Sequence, residues 1–525
     1  MIVGSSEAKI ETPNKTGYDP PAFVDFFEKI EGTRWTNEHH AFRRPSRRIG
    51  SEEQEACMKV LAERTFTPDY QSRFAALSGD FNPMHMDAVA ARRVLFGVPV
   101  VHGVHLLCWA LDHWMGSRSP TATALERLTV NFTRCVLVGE TVRVAVGSEE
   151  EEFALRVQCG QSDRASILGR LGATLDYPET LPPMTPRACR EMDYAALSEA
   201  RGSLPLAYDA DAASQLFPHL GASVPPFQLA ALLATTRLVG MECPGLNSLY
   251  IAMNLSFAKE ATGPPELRFH TAQIDRFGQM RLAVEGPGFQ GELRAMLRPR
   301  PCRQAAAVEL ARLVGKGEFS GQRAVVIGGS RGLGEVTAKL LALGGADVLI
   351  TYHRGKEDAA AVAADIIAAG GTCGVAPFDC QHPAPLALPE PPTHLYYFAT
   401  PHITADKAVP FSPERFAEYC RYYVTNFAQT LLEVGQGLPM LEVFYPSTVF
   451  LDQAPENMAE YCAAKAAGEE LCKQLAKRFP AWRFYAPRLP RLFTDQNNGL
   501  LRPKMEASEI VILEHLRAMK RGLPN

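Results

Sequence analysis

The apolar positions of this chain change their period twice along its length. From about residue 63 to 176, FTPDYQSRFAALSGD reads as a short strand leading into a helix, and residues 104–114 read as an apolar, buried helix. LERLTVNFTRCVL, TVRVAVGS, EFALRVQCG and ILGRLGATLDY then alternate apolar with polar, the pattern of half-buried strands, with turns at Gly139, Gly147 and Gly160. One long apolar helix followed by an antiparallel meander predicts a sheet wrapped around a helix. A Pro-rich joint, PETLPPMTP, closes this unit, and residues 190–300 repeat it. DADAASQLFPHLGASVPPFQLAALLATTRLVG resembles DAVAARRVLFGVPVVHGVHLLCWALDHW, and LYIAMNLSFAK resembles LTVNFTRCVL, so the region reads as an internal duplication. RPRPCRQ forms a second joint. From Phe319 onward strands alternate with helices, with strand candidates at 323–328, 346–352, 372–378, 394–399, 441–446 and 482–487. That alternation predicts a doubly wound parallel sheet, with one crossover cut short by the prolines of CQHPAPLALPEPPT.

Composition narrows the function classes. The 525 residues are 46% hydrophobic and 21% charged, as in ordinary globular chains, and suggest two to four domains. A net charge of -4 gives no overall attraction to nucleic acid or membrane. The 12 cysteines include no CxxC pair, so neither a zinc site nor a disulfide framework is signalled, and no metal is expected. No apolar leader or membrane-length apolar run is seen, so the expected location is cytoplasmic. Residues 1–60 read as a polar arm and an aromatic- and Arg-rich extension. Arg43, Arg44, Arg47 and Arg48 there are either a solvated patch or a contact for a phosphate on a large acyl carrier.

The first chemical constellation is SGDFNPMHMD followed by VVHG. Asp80 precedes His85 by five residues, Asn82-Pro83 turns the chain between them, and Gly103 opens an apolar run eighteen residues after His85. An acid, a base and an unhindered backbone amide are what water addition to an activated double bond requires. Asn82 reads as the turn residue, His102 as packing or orientation, and His105 and His113 as satisfied core or surface histidines. The motif resembles the signature of the (R)-specific enoyl hydratases of the MaoC-like hotdog superfamily. The resemblance implies that Asp80 and His85 form the catalytic pair and that the Gly103 amide meets the thioester oxygen. The second copy resembles the non-catalytic half of double-hotdog hydratases: it has no counterpart of Asp80 or His85, and Pro225-Pro226 fall near the place of His102-Gly103.

The second constellation is VVIGGSRGLGE, a glycine loop between a strand and a helix: Gly328, Ser330, Arg331, Gly332, Leu333 and Gly334. Tyr461 and Lys465 stand four apart, on one helix face, and Ser447 ends the strand before them. A cationic Lys lowers the phenol pKa, which makes Tyr a usable proton donor. These features resemble the short-chain dehydrogenase/reductase family over 319–525. The resemblance implies catalytic Tyr461, Lys465, Asn426 and Ser447, with Thr448 as runner-up by spacing, and Asp379 at the adenine. Arg331, with His353 and Arg354, favours NADP(H) over NAD(H). Departures from the family are Ile327 for the usual Thr, YFATP after the fourth strand, PRLPRLFTDQ after the sixth, and no last strand.

The expected fold is thus an α+β double hotdog followed by an α/β Rossmann-like doubly wound parallel sheet. Its segments are an arm and extension at 1–60, a catalytic hotdog at 61–180, a degenerate hotdog at 185–302 and a reductase domain at 318–525. The expected activity is reduction of a 3-oxoacyl thioester and dehydration of the (3R)-hydroxyacyl product, as in fatty-acid or polyketide-type assembly. Two alternatives stay open: hydration and NAD-linked oxidation as in β-oxidation, or a dehydratase with a non-catalytic nucleotide-binding or scaffolding module. Acyl-CoA or acyl-carrier-protein thioesters are the expected ligands, and a homodimer is allowed.

Overall fold

A computed structural model of the chain describes residues 58–522, apart from 95, 119–122, 150–151, 173–180, 259–262, 384, 389, 404–410 and 498–504. The expectations for the arm, including its four arginines, lie outside the described residues. The first sheet contains ten strands: β1 (Lys59–Thr65), β2 (Ala124–Phe132), β3 (Thr141–Glu149), β4 (Glu152–Cys159), β5 (Ser162–Gly172), β6 (Arg201–Pro205), β7 (Ser248–Phe257), β8 (Glu266–Ile274), β9 (Gln279–Gly286) and β10 (Phe289–Leu297). Their order is β1-β3-β4-β5-β2-β7-β10-β9-β8-β6. Each repeat supplies five consecutive strands in the same relative order, and the two halves join where β2 runs antiparallel to β7, from Arg127↔Ser256 to Asn131↔Ala252. The duplication read from sequence is therefore a pseudo-symmetric pair sharing one continuous sheet.

Each half wraps a long helix. In the first copy, Gly103–Gly116 follows the motif, and Val104 through Asp112 are all buried. In the second, Pro226–Arg237 begins at the predicted pair of prolines and is buried from Phe227 onward. One apolar core extends across both copies, from Phe66 to Ala295, with Trp109 and Trp114 among its largest side chains. Truncating either to Ala would cost roughly 3–5 kcal/mol. Asp112 is satisfied inside this core because its Oδ1 accepts the backbone N–H groups of His219 and Leu220, at 2.8 and 2.9 Å, from a short helix of the second copy. Gly139 and Gly160 lie between strands, as expected. Gly147 does not: it lies within β3, where the pairing with β4 slips between Val146 and Ser148, so it marks a bulge and not a turn.

The second sheet is parallel and six-stranded: β11 (Arg323–Ile327), β12 (Asp347–Tyr352), β13 (Thr372–Pro377), β14 (His394–Tyr397), β15 (Leu441–Phe444) and β17 (Trp482–Tyr485). The two-residue strands β16 (Ser447–Thr448) and β18 (Arg488–Leu489) pair beyond its carboxyl edge. Its order, β13-β12-β11-β14-β15-β17, reverses direction between β11 and β14, where doubly wound sheets hold ligands. All six predicted strands are present. Alternation explains the layers: Ala324 and Val326 join the core on one face, Val325 and Ile327 the core on the other. Among the described residues, no helix is long and apolar enough to cross a membrane.

His105 sits in the first-copy helix, fully buried and stacked on Phe74 with ring centroids 4.5 Å apart. Its Nδ1–H donates to Gln71 Oε1 at 2.9 Å, while its Nε2 has no partner. Burial pushes its pKa down to about 3, so the folded protein holds it neutral. The unfolded chain takes up a proton near pH 6.5 that the folded chain refuses until about pH 3. Stability referable to His105 is therefore present above pH 6.5 and is lost progressively as pH falls toward 3. In His105→Asn the denaturation midpoint should fall less between pH 7 and pH 4 than in wild type, as followed by circular dichroism in urea; an unchanged pH dependence would refute this account.

Candidate functional site

The first site forms where the motif turns back onto the helix it precedes. Gly79, in the left-handed region at φ 76°, ends helix Pro68–Ser78 and releases the chain toward Asp80. Asn82 then caps the next turn, its Oδ1 accepting from Met84 N at 3.0 Å, with Pro83 at the first helical position. This turn presents His85. Its Nδ1–H donates to Val100 O at 2.8 Å, which leaves the Nε2 lone pair to act as acceptor or base. His102 stacks on His85 with centroids 3.8 Å apart. The amide of Gln71 donates to His102 Nδ1 at 3.0 Å, and His102 Nε2–H donates to Asp80 O at 3.0 Å. His102 is thus an orienting residue.

Atoms of Asp80, His85 and His102 lie within 4.8 Å of one another, a grouping that could be taken for a metal site. Both ring nitrogens of His102 are already committed to hydrogen bonds, and the second shell that metal ligands usually have is here made of direct bonds to protein. The group reads as an acid–base pair with a histidine brace. Asp80 is 1% exposed; burial raises its pKa, against the pull of His85, Thr236 and the Asn82 N–H. Burial lowers that of His85 against the attraction of Asp80, and the buried Arg298 guanidinium lowers it further. Burial therefore moves the two groups toward one another, which suits a pair that exchanges one proton. Gly103 begins the central helix, where first-turn N–H groups have no intrahelical acceptor.

Sequence reasoning missed what the second copy contributes. Thr236 Oγ donates to Asp80 Oδ2 at 2.7 Å. The second-copy helix then widens into a π-turn, Leu238–Glu242, whose Gly240 lies against the carboxylate. A Cβ at Gly240 would come within 2.4 Å of both Asp80 oxygens, so only glycine fits there. Asn82 Nδ2 donates to Gly240 O at 2.8 Å and is also within reach of the Gly245 and Leu246 carbonyls. The predicted turn residue is therefore also a tie between the copies. The signal available in the sequence was the first glycine of the LVGMECPG segment that follows the second-copy helix.

The second site lies at the carboxyl edge of the parallel sheet. Gly328 N donates to Thr351 Oγ1 at 3.1 Å, Ser330 is buried, and Arg331 precedes helix Gly332–Leu343, whose first turn holds Leu333 and Gly334. A Cβ on Gly334 would meet Gly328 O at 2.3 Å, so loop and helix start are wound tightly together. His353 and Arg354 follow β12 and are exposed. His353 pairs with Asp379 at 3.3 Å, and Asp379 also meets His382. Arg331 ion-pairs with Asp495 at 3.5 Å.

Tyr461 and Lys465 share a face of helix Ala459–Arg478, both buried. The structure does not bring Ser447 to the phenol: its hydroxyl donates to Glu469, which Arg488 also grips. The neighbouring Thr448 hydroxyl is the one beside Tyr461. Lys465 donates to Pro446 O at 2.7 Å and sits 3.9 Å above the Tyr423 ring. Burial brings it down to about 7, only partly offset by Cys472 and Glu469. Contrary to expectation, the Tyr461 phenol is raised and not lowered: burial outweighs the Thr448 hydrogen bond, and the lysine ammonium stands 5.9 Å from its ring centroid. Asn426 is buried after a π-turn at Arg421–Thr425, with its side chain beside the Cys380 thiol.

Residues 52–164 match a family model described as a MaoC like domain. An (R)-specific enoyl-CoA hydratase of Aeromonas caviae is 33% identical over 103 residues, which are 19% of this chain and 73% of that protein. The chain belongs to the MaoC-like family. A peroxisomal hydratase-dehydrogenase-epimerase of Saccharomyces cerevisiae is 36% identical over 74 residues, 14% of this chain; the match spans only 8% of that protein's length. Among solved structures, a short-chain dehydrogenase from Burkholderia cenocepacia in complex with NADP is similar over 38% of this chain and 91% of that one, at 21% identity and a TM-score of 0.34.

The MaoC-like site makes a prediction about the second copy that packs against it. Gly240→Ala should displace the Asp80 carboxylate and lower the hydration rate of crotonyl-CoA by about 100-fold or more, while Thr236→Val should lower it about tenfold. Initial rates from the ultraviolet absorbance of the enoyl thioester, compared at matched circular dichroism spectra, check both; wild-type rates in Gly240→Ala would show that the second copy does not position the carboxylate.

Proposed function

We propose that the chain is a bifunctional enzyme, a 3-oxoacyl-thioester reductase and (3R)-hydroxyacyl-thioester dehydratase of fatty-acid or polyketide-type assembly. The observation that carries the reading is the pair itself: a half-buried His85 whose Nδ1–H is held by Val100 O, leaving Nε2 available, set near the buried Asp80 carboxyl at the opening of the Gly103 helix. Dehydration moves one proton from C2 of the thioester to the departing C3 hydroxyl. In this reading the basic member of the pair takes the C2 proton, the acidic member protonates the leaving oxygen, and the Gly103 N–H holds the thioester oxygen while it carries negative charge. Hydration is the same path reversed.

The C-terminal half fits a dinucleotide. Its close-wound glycine loop, the unpaired N–H groups of a helix start and the basic Arg331 and Arg354 suit a pyrophosphate and a 2′-phosphate. The chemistry the nucleotide supplies when bound is a hydride for the C3 carbonyl carbon. Tyr461 gives its phenolic proton to the carbonyl oxygen, Thr448 orients that oxygen, and Lys465 sets the charge beside the phenol. The resulting (3R)-hydroxyacyl group, on CoA or a carrier protein, is the substrate of the first site.

A second reading, a nucleotide-binding module without turnover, is favoured by Ser447 being held by Glu469 and Lys465 by Pro446 O. Mass spectrometry of products from 3-oxoacyl thioesters with NADPH decides between them. The bifunctional enzyme yields enoyl thioester, Asp80→Asn or His85→Gln stops at the hydroxyacyl thioester, and Tyr461→Phe leaves the 3-oxo substrate intact. Wild-type protein that binds NADPH and consumes no 3-oxoacyl thioester would establish the module; turnover only with NAD on hydroxyacyl thioesters would reverse the direction.

A further inference from the structure

The segment that joins His85 to the Gly103 helix does not stay within its own half of the molecule. After the short helix Ala88–Ala91 it reaches the nucleotide crevice of the parallel sheet. Arg92 Nη2 ion-pairs with Asp358 at 3.2 Å, and Arg93 pairs with the other oxygen of the same carboxylate. Arg331, in the glycine loop, donates to the Arg92 carbonyl at 2.5 Å. Further along, the backbone of Gly97 passes so close to His402, beyond β14, that a Cβ there would meet the imidazole at 2.5 Å. The segment thus lies across the side of the crevice where the strand order reverses.

We propose that the 2′-phosphate of NADPH is bound by both halves of the chain, with Arg92 and Arg93 of the MaoC-like half joining Arg331 and Arg354 of the reductase half. The inference rests on the reading of the C-terminal half as a nucleotide-binding unit. Geometry supports it at one glycine. Gly355 directly follows Arg354, and a Cβ on it would lie 2.5 Å from Arg92 Nη2, so the foreign guanidinium packs on the backbone at the end of the loop after β12. That loop is where doubly wound folds discriminate the ribose 2′ position.

Charge supports it as well. Four guanidinium groups gather here, and Arg354 and Arg93 are near enough to repel Arg92. Two carboxylates, Asp358 and Asp495, face them. Glu335, which also acts on Arg93, is occupied by Lys339 at 2.8 Å. The surplus is two positive charges, and a phosphate monoester brings about −1.5 to −2 at neutral pH. Arg92 Nε is buried without a partner, one more donor for such an anion. In the arrangement seen, Asp358 occupies the place of that anion on Arg92 and Arg93.

The test is the dissociation constant of NADPH and of NADH for the full chain, by quenching of protein fluorescence. In Arg92→Ala/Arg93→Ala the NADPH constant should rise about tenfold or more while that of NADH changes less than about twofold. Asp358→Asn, which frees the same arginines, should move the NADPH-to-NADH ratio the opposite way. An unchanged ratio in both variants, or equal losses for both nucleotides in the double variant, would overturn the inference and leave the arginines as a domain tie. Wild-type protein that binds neither nucleotide would instead overturn the nucleotide-binding reading beneath it.

Discussion

A carboxylate kept out of water must be held by something, and at Asp80 that something comes from the other copy of the fold. Burial raises the cost of the charged form; the Thr236 hydroxyl and the Asn82 N–H lower it again. Gly240 leaves the room in which the oxygens sit. The rest of the first half can be read outward from this arrangement. The β2–β7 seam joins the two copies, Asp112 pins the first central helix to the second copy, and Asn82 ties the turn that carries His85 to the π-turn opposite. The copy without a counterpart of Asp80 or His85 therefore supplies part of the wall around that carboxylate.

The C-terminal half follows the same logic with different materials. Its sheet order creates the crevice, and alternate residues of β11 divide two cores above and below it. Around Tyr461, however, polar groups are spent on internal partners: Ser447 on Glu469, Lys465 on a backbone carbonyl beneath an aromatic ring. A lysine brought down to about 7 by burial is close to losing its charge in neutral solution. It is a group already near its midpoint, so small changes in surroundings have large effects on its protonation.

Local chemistry was readable along the chain, and long-range contact was not. Asp80, His85 and Gly103 stand out because acid, turn, base and glycine follow in one short stretch, and the two helices and six parallel strands stand out through their periodicity. Thr236 and Gly240 are some 160 positions from the residue they serve. They look like ordinary members of an apolar helix until the sheet seam brings the copies together. Gly147 was misread because a glycine between apolar residues marks a bulge as readily as a turn. Ser447 and Thr448 are adjacent, so sequence spacing offers both and only the direction of each hydroxyl separates them. The contact of Arg92 and Arg93 with Asp358 joins two units whose patterns carry no trace of one another.

The seam between β2 and β7 has a consequence for the behaviour of the molecule in dilute solution. Were the two copies separate chains, the fraction carrying a complete wall around Asp80 would depend on how often they met, and would fall with concentration. Here they are links of one polypeptide, so the second copy is present at a fixed, high effective concentration however few molecules there are. The linkage also removes any requirement that the two be identical. One copy is free to lose its own acid and base and to become, position by position, a fitted counterpart of the other.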